Sequence, residues 1–175
     1  MSNDKKVDPE TVLLTGASGF IGLHCVKQLI QSGYKVRGTV RSLEKQKLVQ
    51  EVMAANNLDT KNIEFNLLDL NSDSGWEASM VGCKYVMHVA SPFWIANPKN
   101  DAEMMTPAVD GTLRVLRAAK KAKVKRVILT SSIVSMMSSI RRGVFTPEDW
   151  THVNYPNLNT YIKSKTLAEK AAWKF

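Results

Sequence analysis

The sequence predicts an α/β fold: one open sheet of parallel strands with helices packed on both faces. Three observations predict it. Short β-branched runs alternate with longer amphipathic segments, the first strand runs into a glycine-rich turn that opens a helix, and 175 residues with 44% hydrophobic and 23% charged content suit one ordinary globular core.

Five runs read as strands: residues 11–15, 35–40, 63–67, 85–89 and 127–130. The intervals between them are long enough for crossover helices, so their common sheet is parallel. Gly22, Cys25, Val26, Leu29 and Ile30 recur at helical spacing after the first strand, and Val109, Thr112, Leu113, Leu116 and Ala119 do so before the fifth. Gly33 stands where a C-terminal helix cap belongs, just ahead of the second strand. The first strand–helix–strand unit spans about thirty residues, as that motif requires. No linker, repeat or low-complexity tract interrupts the pattern, and residues 1–175 read as one domain. Residues 136–159 are polar and carry prolines, in the manner of an active-site loop, and an amphipathic segment at 158–175 runs to the last residue without a capping Gly or Asn. The sheet is therefore expected to be truncated before its last strands.

No apolar run approaches a membrane span, and residues 1–10 are charged where a secretory leader is apolar, so a cytoplasmic protein without membrane association is expected. Cys25 and Cys83 are too few and too far apart for a metal cluster, and His24 and His152 have no partner at ligand spacing. Reduced, structural thiols and no metal are expected. The net charge of +8 includes a dense basic run, Arg114, Arg117, Lys120, Lys121, Lys123, Lys125 and Arg126, in and just after a helix. Cations at the negative end of a helix account for part of it without a nucleic-acid partner, and none is expected.

The chemistry begins at the first turn. Strand 11–15 leads into Gly16, Ala17, Ser18, Gly19, Phe20, Ile21 and Gly22. Glycines at that spacing permit a tight turn, a close approach of backbone to a pyrophosphate and tight helix-on-strand packing, and the helix N-terminus then faces the phosphates. The fold is thus a Rossmann-type doubly wound sheet with a nucleotide at this turn. Nucleotide domains that take NAD place an Asp or Glu about twenty residues after the glycines, to bind the ribose 2′-hydroxyl. This chain has Val40 followed by Arg41. A carboxylate repels a 2′-phosphate whereas a guanidinium binds it, so Arg41 belongs in the site and NADPH is preferred to NADH. Tyr161 and Lys165, four residues apart, share one helix face. Ser132 follows the fifth strand at the carboxyl edge of the sheet, where ligands bind in such folds, with Ser131 and Ser135 as neighbours of the same type. His88, between apolar residues of the fourth strand, reads as a packed, hydrogen-bonded histidine.

TGASGFIG at residues 15–22 together with YIKSK at 161–165 resembles the extended short-chain dehydrogenases/reductases of the NAD-dependent epimerase/dehydratase superfamily. The segments between them, VRGTVR (36–41), DL (69–70), VMHVASP (86–92), PAVDGT (107–112) and LTSS (129–132), are similar to the dihydroflavonol-4-reductase and cinnamoyl-CoA-reductase branch. The resemblance covers nearly the whole chain. It implies NADP(H) as cofactor and a small-molecule ketone or aldehyde as substrate. Tyr161 is then the general acid, Lys165 assists it and binds the nicotinamide ribose, and Ser132 polarises the carbonyl. By the same resemblance Gly16, Ser18, Gly19, Phe20, Ile21 and Gly22 hold the pyrophosphate, Val89 and Ala90, with Ser91, line the cofactor along the fourth strand, and Asp69 and Leu70 end the third strand near the adenine. Asp69 reads equally well as a cap of the turn that follows.

The resemblance has an edge. Plant flavonoid reductases carry an Asn in a segment reading AGTVN just past the serine, whereas this chain reads Ile133, Val134, Ser135, Met136, Met137, so a small carbonyl or a steroid-like substrate fits as well as a phenolic one. Sugar-nucleotide epimerases/dehydratases and 3β-hydroxysteroid dehydrogenase-like enzymes share the two main motifs. A non-catalytic nucleotide-sensing domain is the alternative of another class, and such relatives typically lose the Tyr/Lys pair. The resemblance further implies a C-terminal substrate-binding region absent from these residues, and it leaves the oligomeric state open.

Overall fold

The computed structural model describes residues 8–94, 98–137 and 143–175. Among them, five strands form one parallel sheet: β1 (Thr11–Thr15), β2 (Lys35–Val40), β3 (Ile63–Leu67), β4 (Cys83–His88) and β5 (Arg126–Leu129). Their order across the sheet is β3-β2-β1-β4-β5. The chain steps outward from β1 in one direction and then returns to its other side, so the crossover point lies between the carboxyl ends of β1 and β4. The helices are α1 (Phe20–Gln31), α2 (Leu43–Ala55), α3 (Trp76–Met80), α4 (Ala102–Lys121), α5 (Val134–Met137) and α6 (Thr160–Lys174).

Two adjacent leucines show why both faces must be covered. Successive residues of a strand face opposite ways, and Leu13 and Leu14 are both fully buried. Leu13 packs with Trp76, Met80, Val86 and Val115, on the side of α3 and α4. Leu14 packs with Val26, Val36, Val49 and Met53, on the side of α1 and α2. Burying each such side chain stabilises the fold by about 1.5–3 kcal/mol. Two helices start at side-chain caps: Ser42 Oγ accepts the Lys45 N–H at 3.3 Å ahead of α2, and Asn159 Oδ1 accepts the Tyr161 N–H at 2.7 Å ahead of α6. Gly33, at φ +82°, closes α1 as expected.

Several boundaries differ from the sequence expectation. The fourth strand starts at Cys83 and ends at His88, against 85–89, because Thr11 pairs with Cys83 and Val12 with Tyr85. Lys84 is the extra residue of a bulge, which breaks the alternation that marks a strand. The fifth strand is shifted by one residue, to 126–129, yet the Thr130 N–H still donates to the His88 carbonyl at 3.0 Å. The third strand stops at Leu67, so Asp69 and Leu70 lie beyond it, in the following turn. On α4 the buried face carries Ala108, Gly111, Thr112, Val115 and Ala119, while Val109, Leu113 and Leu116 are only half-buried. Small size decides that face: a Cβ on Gly111 would lie 2.9 Å from the Leu70 Cβ.

Part of the basic run is engaged within the chain. Arg114 pairs with Asp73 and donates to the Leu70 carbonyl, Lys121 pairs with Glu77, and Lys120 sits over the Phe175 ring at 5.1 Å. No helix among the described residues is long and apolar enough to cross a membrane.

Candidate active site

The glycine turn is built so that only backbone fits. Gly16 leaves β1 at φ +70°, and a Cβ there would meet Ala90 Cα at 3.0 Å. Gly22 is tighter still, since its Cβ would lie 2.1 Å from the Gly16 carbonyl oxygen. The turn is held by the Gly19 N–H on the Gly16 carbonyl (3.0 Å), the Ala17 N–H on the Thr39 carbonyl (3.1 Å) and the Gly16 N–H on Thr39 Oγ1 (3.4 Å). Thr39 is a site residue that sequence reasoning missed, although it lies inside the VRGTVR segment. Ser18 is half-buried, and Gly19, Phe20 and Ile21 are exposed. The first turn of α1 has no side-chain cap and no acidic residue, which leaves its N–H groups and positive dipole end open to an anion. These residues fit a bound pyrophosphate.

On the β4 side of the crossover, Thr15 Oγ1 accepts the N–H groups of Val89 (3.0 Å) and Ala90 (2.9 Å) and lies 2.8 Å from His88 Nδ1. His88 Nε2 is 3.4 Å from Thr112 Oγ1, which donates to the Ala108 carbonyl at 2.7 Å. His88 is buried, and that burial, aided by the neighbouring Lys165 charge, drops its pKa to about 3.

The third group converges from β5 and α6. Lys165 is buried and its Nζ donates to the Thr130 carbonyl at 2.8 Å; burial lowers its pKa from the ordinary lysine range, opposed by the Glu169 charge. Ser131 Oγ is bound by Glu169 and lies 3.3 Å from Ser135 Oγ. These links fix α6 along the end of β5, with Tyr161 one helical turn before Lys165 and Ser132 two residues past Thr130. The Ser132 hydroxyl accepts one long contact, from the Val134 N–H at 3.5 Å. Tyr161 carries the Phe93 ring edge-on at 5.2 Å between centroids, a neighbour the sequence reading did not single out. A narrow crevice lined by Ala90, Thr112, Thr130 and Lys165 joins the β4 and β5 ends. A separate open cleft of about 470 Å³, lined by Ser132, Met136, Trp150, Glu169 and Trp173, lies beside it without reaching Tyr161.

The two arginines of β2 and its end differ sharply. Arg37 donates to Glu64, to the carbonyls of Ser79 and Val81, and to Cys83 Sγ. Arg41 is exposed and has no partner among the described residues. Asp69 accepts the backbone and side-chain N–H groups of Asn71 at 2.8 and 3.2 Å, the turn cap that its residue type allows. Leu70 packs against the core cluster on the α4 side.

A doubly wound parallel sheet with a backbone-only turn at its crossover is the architecture of dinucleotide-binding domains. The chain belongs to the NAD dependent epimerase/dehydratase family, whose model matches residues 12–175. It is 36% identical over 184 residues to an anthocyanidin reductase ((2S)-flavan-3-ol-forming) of Vitis vinifera, covering 100% of this chain and 54% of the relative. It is 35% identical over 172 residues to a dihydroflavonol 4-reductase of Dianthus caryophyllus, covering 95% of this chain and 48% of the relative. Among solved structures, yeast methylglyoxal/isovaleraldehyde reductase Gre2 complexed with NADPH superposes with a TM-score of 0.81 at 31% identity, covering 94% of this chain and 52% of that one. The chain thus spans about half the length of the curated relatives it matches.

Proposed function

We infer that this chain is the cofactor-binding part of an NADPH-dependent reductase that transfers hydride to a ketone or aldehyde carbonyl. The observation that carries the reading is the Lys165 Nζ bond to the Thr130 carbonyl, at 2.8 Å. It ties the Tyr161/Lys165 helix to the same carboxyl edge of the sheet that carries the glycine turn. Bound along that turn and the Val89–Ala90 edge, a nicotinamide dinucleotide supplies the hydride.

The remaining roles belong to side chains. Arg41, unpaired at the end of β2, receives the 2′-phosphate. Tyr161 gives the carbonyl oxygen its proton, and the Lys165 ammonium one turn away assists. Ser132 orients that oxygen. It is chosen over Ser131 because Ser131 already has a carboxylate and a second hydroxyl on its oxygen, whereas the Ser132 proton has no acceptor among the described residues. The names of the relatives, an anthocyanidin reductase, a dihydroflavonol 4-reductase and a methylglyoxal/isovaleraldehyde reductase, support a small carbonyl compound as substrate class.

The test is nucleotide affinity followed by turnover on a panel of aldehydes and ketones, with NADPH oxidation as readout. It is run on the protein with the C-terminal substrate region that the resemblance implies, since residues 1–175 alone are not expected to catalyse. Preference for NADPH and oxidation with at least one carbonyl are expected. Preference for NADH together with turnover of a sugar nucleotide would replace this reading with an epimerase/dehydratase. Tight nucleotide binding with no turnover of either class would make the chain a sensing domain.

A further inference from the structure

We propose that His88 is a positioning residue: as the neutral Nε2–H tautomer it holds Thr15, and through Thr15 the Val89–Ala90 backbone, in the place that leaves room for the Gly16 turn. The proposal rests on the reading of that turn as a dinucleotide site.

The protons in this network can be assigned by counting. The two acceptor sites of the Thr15 hydroxyl are taken by the N–H groups of Val89 and Ala90, at 3.0 and 2.9 Å. Its own proton is left for His88 Nδ1, 2.8 Å away, so Nδ1 is the acceptor and carries no hydrogen. On the far side of the ring the Thr112 hydroxyl has given its proton to the Ala108 carbonyl at 2.7 Å, so the 3.4 Å contact with Nε2 is filled by a hydrogen on Nε2. Both ends select the same tautomer. A neutral ring is required as well, because imidazolium would turn an Nδ1–H donor against the Thr15 proton; burial beside Lys165 keeps it neutral.

What the network positions is the strand end facing the turn. Ala90 is the residue a Cβ on Gly16 would strike, at 3.0 Å, so a small outward movement of the Ala90 backbone changes the floor on which the glycine turn sits. His88 also reaches the other half of the site, through its main chain. The His88 carbonyl accepts the Thr130 N–H at 3.0 Å, and the Thr130 carbonyl accepts Lys165 Nζ at 2.8 Å. Residue 88 therefore lies between the two halves, its ring on Thr15 beside the glycine turn and its carbonyl on Thr130 beside the ammonium.

Three histidines in the chain make the tautomer directly readable from a long-range ¹⁵N–¹H spectrum of histidine-labelled protein. A bare Nδ1 and a protonated Nε2 are expected for His88, and the reverse pattern overturns the proposal. His88→Leu removes both contacts, and Thr15→Val keeps the side-chain shape while removing the hydroxyl, which covers the case in which the leucine variant does not fold. In each folded variant, amide exchange at Val89 and Ala90 should accelerate and the NADPH Kd should rise by about tenfold. His88→Asn, whose side-chain oxygen can take the Thr15 proton, should restore the Kd to within about threefold of the parent. Parent-like exchange and Kd in folded Thr15→Val overturn the proposal, as does an asparagine variant no better than leucine. A parent protein with the expected tautomer and exchange effects but no affinity for NADPH or NADH would leave the backbone role standing and remove the dinucleotide reading alone.

Discussion

On the β1–β4 side of the site, Thr15 and His88 are buried and their side-chain polar atoms are all engaged, whereas on the β5–α6 side the Ser132 hydroxyl has one contact, at 3.5 Å, among the described residues and Ile133 beside it is 65% exposed. The first region is a closed frame, suited to a ligand of fixed shape. The second is anchored at its root, through Lys165 on Thr130 and Glu169 on Ser131, and Thr151 holds the Val134 and Ser135 carbonyls beyond it, while the Ser132 hydroxyl proton keeps no acceptor among the described residues. A buried, fully paired network gives one geometry, and a partly satisfied surface leaves hydroxyls free to bond something else. On the proposed reading, the cofactor half is preformed, and in the substrate half the Ser132 hydroxyl keeps unspent hydrogen-bonding capacity.

The sharpest way to separate the two halves is Tyr161→Phe. It removes a proton donor from the open half and should cut turnover by about 10²–10⁴-fold with the NADPH Kd nearly unchanged. Steady-state kinetics beside a binding titration decide it, and near-normal turnover removes Tyr161 from the mechanism. Ser132→Ala comes next, with a loss of roughly a hundredfold in kcat against a small loss for Ser131→Ala. Equal effects at the two serines would erase the distinction drawn from their hydrogen bonds. On the closed side, Arg41→Ala should weaken NADPH binding by roughly ten- to a hundredfold and NADH binding much less, since one charge-assisted contact is lost. The ratio of the two dissociation constants is the measurement, and an unchanged ratio takes Arg41 out of the site.

The last effect is on stability against pH. His88 has a folded pKa of about 3 against an ordinary 6.5, so between these values the unfolded chain binds the proton that the folded chain refuses. Stability should therefore fall as pH drops through that window and be fully restored above 6.5. Melting temperatures across the window should show a shallower slope in His88→Gln than in the parent. Equal slopes would mean that His88 does not stay neutral on acidification. Lys165 has the same sign at the other end of the scale, gaining stability as pH climbs through its lowered value toward 10.5.

Much of the closed half was legible in the sequence, because its requirements are written in residue size. Gly16 and Gly22 sit where a single carbon would collide with backbone, and β1, β2 and β3 match their expected bounds because their runs are regular. Where regularity fails, so does legibility. The bulge at Lys84 hides the start of β4, α3 and α5 are too short to display a period, and α2 buries only Val49 and Met53. On α4 the sheet-facing surface was chosen for smallness, so a search for large apolar residues picks positions beside it. Thr39, Thr15 and Phe93 act through contacts between distant segments, which spacing along the chain does not encode. Residues 138–142 of the expected active-site loop lie outside the described residues.

The bond from Ala90 to Thr15 joins positions 75 residues apart in the chain. During synthesis at about 5–20 residues per second, β1 and its glycine turn therefore exist for roughly 4–15 seconds before their second neighbour has been made. Through that interval β1 has β2 on one side and an open edge on the other, with Leu13 lacking the Trp76, Val86 and Val115 contacts that later cover it. The emergence of β4 closes that edge and brings Ala90 against the glycine turn in one event, while the α4 residue Val115 covers Leu13 only later. A nascent chain stalled ahead of residue 83 accordingly leaves both the β1 edge and the Leu13 side chain open to sticking.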